Sequence, residues 1–99
     1  MSEYYKLDGK NIIVCEDVVE WAKWYEKADR HVADDTIGDQ RISTVFRGLN
    51  HGLGENPVLF ETMVFGGNNN GFKCRYCFWE TAEEGHKRLI ERLKAGETL

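Results

Sequence analysis

Tyr4-Tyr5-Lys6-Leu7 and Lys10-Asn11-Ile12-Ile13-Val14 are two β-prone runs in which apolar residues dominate, with Asp8-Gly9 between them. A DG pair between β-prone runs signals a hairpin, because glycine accepts the positive φ of a type I′ turn. From Glu16 to Ala28 the period changes. Val18, Trp21, Ala22, Tyr25 and Ala28 recur at helical spacing, and the acids Glu16 and Asp17 sit at the positive end of the helix dipole. A helix packing that stripe on a sheet is predicted. Trp24 falls outside the stripe, as a rim residue or an interface contact.

The second half reads mostly as strands. His31 to Ile37 leads through Gly38-Asp39, another hairpin-compatible pair, into Gln40–Leu49, which is rich in β-formers. Asn50 to Pro57 is the longest clear loop, with two glycines and the single proline. Val58–Phe65 is apolar at both alternating positions, the pattern of a central strand covered on both faces. Gly66 to Gly71 is a turn, and Phe72 to Phe78 the last strand. A helix from Glu80 to Ala95 carries the stripe Ala82, His86, Leu89, Ile90 and Leu93, with Gly96 placed to end it. Gly85 beside that stripe costs about 1 kcal/mol against alanine. Close approach to a strand or an aromatic ring would explain it. The predicted order is ββ-α-ββββ-α: one α+β domain over residues 1–99, an antiparallel meander with both helices packed on it.

Composition narrows the classes of function. The formal net charge is −4 and the pI near 5.3, which argues against general duplex-DNA binding without excluding a local basic pocket. Three tryptophans in 99 residues supply large apolar anchors to a domain too small for a deep core. Self-association would relieve that shortage, and a homo-oligomer is expected. No apolar run approaches the roughly 18 residues that span a bilayer. The start Met1 to Tyr5 has neither a basic nor an apolar signal region, and the cysteines Cys15, Cys74 and Cys77 are odd in number. A reduced, cytoplasmic protein without membrane contact is expected.

Candidate chemistry is sparse. Cys74-Arg75-Tyr76-Cys77 has CxxC spacing, but no second ligand pair completes a zinc site, and residues three apart on a strand face opposite ways. No metal or cofactor is expected. Ser43 or Thr44 with His51 and Glu61 can be drawn as a triad, yet no strand-turn-helix elbow presents the nucleophile, so no catalytic residue is assigned. His86, on an apolar stripe, reads as a hydrogen-bonded core residue. Glu61 is the sharper anomaly, a carboxylate inside the most apolar strand, with Arg47 and Arg75 on the neighbouring strands as partners. Two roles fit. One is a structural pair that sets register; the other is an anion site in which Arg47, Arg75 and His51 face a phosphate and Glu61 orients them.

The pattern Trp21-x-x-Trp24, Ile37-Gly38-Asp39 and Ser43-Thr44-Val45-Phe46-x-Gly48-Leu49-x-His51 resembles a family of small uncharacterised bacteriophage and prophage proteins. Pro57-x-Leu59-Phe60-Glu61-Thr62-Met63-Val64-Phe65-Gly66-Gly67, Arg75-Tyr76 and Trp79-Glu80-x-Ala82-Glu83-x-Gly85-His86 continue the resemblance. Arg47 and Asn50 depart from the family pattern, which has an apolar residue and an acid there. The resemblance implies a phage source and no catalytic residues. It suggests a non-enzymatic accessory, a counter-defence factor that binds a host defence protein or sequesters a small nucleotide ligand. The expected ligand-binding residues are Arg47, His51, Glu61 and Arg75, and the expected interface residues Trp24 and Trp79. The competing readings are a small hydrolase acting on a phosphate-containing substrate, using His51 or His86 with Glu61, and a virion-assembly partner.

Overall fold

The computed structural model describes residues 3–50, 52 and 54–99. Strands β1 (Tyr4–Asp8) and β2 (Asn11–Cys15) are followed by helix α1 (Val18–Lys27). Strands β3 (His31–Ile37), β4 (Gln40–Phe46), β5 (Phe60–Phe65) and β6 (Lys73–Tyr76) then lead into helix α2 (Trp79–Lys94). The order is ββ-α-ββββ-α and the class α+β. The strands divide into two antiparallel sheets, β1-β2 and β3-β4-β5-β6.

Both tight hairpins turn on a glycine. The loops are Gly9-Lys10 and Gly38-Asp39, each with its glycine at φ 62°. No other described loop residue of either pair has positive φ, which is the type II′ pattern. Asp8 therefore stays in the ladder opposite Asn11, instead of forming half of the type I′ turn that Asp8-Gly9 suggests.

The hairpin meets the larger sheet just beyond β4. Tyr4 bridges Leu49, the Tyr5 N–H donates to the Gly48 carbonyl at 2.8 Å, and the Asn50 N–H donates to Glu3 at 3.1 Å. Gly48 permits this approach. Its φ is 72°, and a Cβ there would lie 2.8 Å from the Tyr5 carbonyl oxygen and 3.0 Å from Trp21 Nε1.

Asp17 caps α1, its carboxylate accepting from the backbone of Val19 and Glu20. The inward stripe is Trp21, Trp24, Tyr25 and Ala28, whereas Val18 and Ala22 are exposed. The rings explain the rotation, since two indoles and a phenol bury far more apolar area than a valine and an alanine. Trp24, read from spacing as lying outside the stripe, meets Phe46 edge to face at 6.0 Å. Trp21 donates its indole N–H to the Tyr5 carbonyl at 2.9 Å, tying α1 to the hairpin.

On β4 and β5 the even-numbered residues face α2. Thr44 lies opposite Thr62, Ile42 opposite Val64 and Phe46 opposite Phe60. Ile42 and Val64 pack with Leu89 and Leu93, while Phe46 and Phe60 pack with Tyr5, Leu59 and Ala82. Gly85 lies against Tyr76, as its place beside the stripe suggests. Gly96, at φ 80°, ends α2: its N–H donates to Leu93 and that of Glu97 to Arg92, a Schellman closure.

The odd-numbered residues of β4 and β5 face away from α2. Neither helix packs on them, because α1 lies on the β1-β2 hairpin. This corrects the expectation that β5 is covered on both sides. Phe65 is exposed on the open face and Met63 half-buried there. No helix among the described residues is long and apolar enough to cross a membrane.

Candidate functional site

Glu61 sits on the open face of β5, opposite Val45 on one side and Arg75 on the other. Its Oε1 accepts from Arg47 Nη1 and its Oε2 from Arg75 Nε, each at 3.0 Å. The glutamate is 5% exposed, while the arginine side chains are 34% and 48% exposed. The three heads thus meet at the surface and not in a closed core. Among the described residues, no other partner takes the remaining guanidinium N–H groups of Arg47 and Arg75. Burial pushes the Glu61 carboxyl up, but the hydrogen bond from Arg75 and the charges of Arg47 and Arg75 outweigh it and hold the carboxyl below its ordinary range. The cluster is therefore ionised throughout near neutral pH, with one positive charge in excess.

The surrounding face extends this bias. Arg41 reaches across to Asp34 with two hydrogen bonds, of 3.1 and 2.6 Å, and its guanidinium lies 6.0 Å from the centre of the Phe65 ring. Lys73 stands opposite Met63 on the same face. Arg41, Arg47, Lys73 and Arg75 thus share one sheet face with the carboxylates Asp34 and Glu61, on a chain whose net charge is −4.

The other face of the sheet holds a separate polar chain. His86, on α2, is buried; its Nε2 lies 2.7 Å from Asp35 Oδ2 and its Nδ1 2.7 Å from Thr44 Oγ1. Thr44 in turn bonds Thr62, and both threonines are fully buried. The order carboxylate, imidazole, hydroxyl resembles a nucleophilic relay, but a substrate has no path to a fully buried Thr44. Its chemistry is satisfaction of buried polar groups. Asp35 escaped the sequence reading. A signal was present: adjacent strand residues face opposite ways, so one of Asp34 and Asp35 had to point toward the helix.

The remaining predicted residues fall as follows. His51 lies outside the described residues. Trp24 and Trp79 are partly buried, Trp24 against Phe46 and Trp79 edge to face with Phe60 at 6.2 Å, with Lys10 Nζ 5.8 Å from the Trp79 ring. Thr44 and His86 lie across the sheet from Glu61, so neither the drawn triad with Thr44 nor a His86–Glu61 pair forms. The cysteines are free thiols. Cys74 lines a groove of about 130 Å³ between β6 and α2 with Phe72, Tyr76, Arg88 and Arg92. Cys77, past the end of β6, lies against the Asn56 carbonyl. Burial first, then the Cys74 thiol, pushes the Tyr76 hydroxyl up to about 12.

The long loop after β4 is tied at its neck by Asn50. Its side-chain oxygen accepts from the Gly52 and Val58 N–H groups at 2.9 and 3.2 Å. In comparisons with known proteins, no family model, curated protein or solved structure matches this chain.

Proposed function

We propose that the protein is a non-enzymatic binding protein that takes a phosphate-bearing small ligand of the nucleotide class on the open face of its four-stranded sheet. The Arg47–Glu61–Arg75 cluster carries this reading. A buried carboxylate fixes two guanidinium groups side by side, and their outer N–H groups suit a phosphate, which accepts such forks bidentately. Fixing both forks beforehand lowers the ordering cost of binding. Phe65 lies four residues further along β5, about 13 Å at strand rise, and offers an aromatic surface for a base.

The same proposal places the protein in the host cytoplasm as a phage accessory against host defence, acting by sequestration, and includes self-association of this small domain. Binding of a host defence protein is the competing form. It needs no phosphate and would be seen as capture of that protein from host extract.

Melting against a panel of nucleotides and cyclic nucleotides tests the ligand form. A ligand at a hundredfold over its Kd adds about 2.7 kcal/mol to stability. The expected result is a raised melting temperature with at least one compound, recovered chemically unchanged. Arg75→Gln should abolish the shift while leaving the unliganded fold intact. No shift with any compound rejects the ligand form, and turnover of a compound rejects the non-enzymatic reading.

A further inference from the structure

The open face of the larger sheet carries more than the Arg47–Glu61–Arg75 cluster. Arg75 stands opposite Glu61, Lys73 opposite Met63, and Phe65 comes two residues after Met63 on β5. From the cluster outward the face thus presents two guanidinium forks, then Met63 with Lys73 beside it, then the Phe65 ring. Each step is two strand residues, about 6.7 Å. Met63 is half-buried and Phe65 44% exposed, so both offer apolar surface on this face.

Charge along this row is unevenly matched. Glu61 balances one of its two arginines, and Asp34 balances Arg41. Lys73 is exposed, and among the described residues no carboxylate pairs with it. Two positive charges therefore remain unmatched, one at the cluster and one a step further along. Past Phe65 the row ends at Asp39, which lies against Gly66 and Gly67. An anion extending that way would meet a carboxylate.

Length decides what fits. The cluster and Phe65 are two steps apart, about 13 Å at strand rise. An extended single strand of nucleic acid advances about 7 Å per nucleotide, roughly twice its stacked rise in a duplex. One nucleotide with its phosphate on the cluster leaves its base over Met63, short of the ring. Two linked nucleotides reach it, and their linking phosphate falls beside Lys73.

We propose that this face takes two nucleotides joined by a phosphodiester, either a free linear dinucleotide or a step within single-stranded nucleic acid. The terminal phosphate sits on Arg47 and Arg75, the linking phosphate at Lys73, and the second base stacks on Phe65, a contact tolerant of base identity. This deepens the phosphate reading of the same face and rests on it.

Calorimetric titration with AMP, ATP, 5′-phosphorylated diadenylate and a ten-nucleotide oligoadenylate tests the inference. Diadenylate should bind at least about fivefold tighter than AMP, from the added stacked base and cation contact. ATP, whose phosphates are contiguous, should bind no better than diadenylate. Lys73→Gln and Phe65→Leu, both at exposed positions, should each reduce the diadenylate preference over AMP to less than about twofold. Oligoadenylate binding as tightly as diadenylate supports the single-stranded source, and weaker binding supports the free dinucleotide. Equal affinity for AMP and diadenylate, a preference for ATP, or a preference that survives Lys73→Gln overturns the two-nucleotide site while the phosphate reading stands. Binding of none of the four, with no melting shift from any nucleotide, overturns both.

Discussion

Glu61 shows how a carboxylate is kept ionised beneath a sheet surface. Both its oxygens are taken by guanidinium groups, so removing it leaves two cations facing each other. Breaking a fully buried pair costs about 3–5 kcal/mol. Here the arginines are partly solvated, and Glu61→Gln should cost about 1–3 kcal/mol, read from the urea midpoint. The pH dependence has a definite sign. The folded carboxyl lies below its ordinary value of 4.5, so its contribution is full above that value and is lost as pH falls through the lower folded one. Glu61→Gln should therefore flatten part of the acid limb of a melting-temperature profile. An unchanged limb would show that the pair adds nothing to stability. His86 gives a contrasting case. His86→Ala opens a cavity and strips Thr44 of a partner, an expected loss of about 2–4 kcal/mol. Asp35→Asn should cost under about 1 kcal/mol in the same urea titration, since that carboxylate is half in water.

The helices and strands depend on two glycines for different reasons. At Gly85 helix propensity alone favours alanine by about 1 kcal/mol. A methyl there would fall 2.3 Å from the Tyr76 hydroxyl oxygen and 2.5 Å from its Cζ, so the whole ring must move. Gly85→Ala should therefore lower stability by about 1–3 kcal/mol despite the propensity gain. Trimming the ring as well, in Gly85→Ala/Tyr76→Val, should show positive coupling in a double-mutant cycle. At Gly48 the penalty has two sources, positive φ and a close approach to the Tyr5 carbonyl and the Trp21 indole. Gly48→Ala should loosen the hairpin and α1 together, because both are tied at that point. Trp21 fluorescence in the variant would report it, shifting to the red as the indole N–H leaves Tyr5 for water; an unshifted spectrum would refute the coupling.

For the molecule as a whole, the main consequence is an asymmetric sheet. One face carries α2, with the hairpin and α1 at its end, and the other carries a cationic surface on a net acidic chain. Ligand affinity at that surface should fall with added salt, since the arginine heads are half in water and screened. Much of this architecture was legible along the chain. Glycine-centred turns, the acidic start of α1, the α2 stripe and the Gly96 stop are decided by neighbours within a few residues, where backbone sterics and local electrostatics dominate. The partners of Glu61 were legible too, because an isolated charge in an apolar strand requires cations on the adjacent strands.

Other features depended on which surfaces meet. Alternation shows that β5 has two apolar faces but not which one a helix will cover. Only the docking of α2 on Thr62 and Val64 left Met63, Phe65 and Glu61 on the open side. The α1 stripe rotated toward Trp24 because Phe46, distant in sequence, offered an aromatic surface. Local periodicity therefore determined the elements and their turns. Long-range packing, in which buried area decides, docked the hairpin on the larger sheet at Gly48, aimed Trp24 inward and left the Arg47–Glu61–Arg75 cluster facing water.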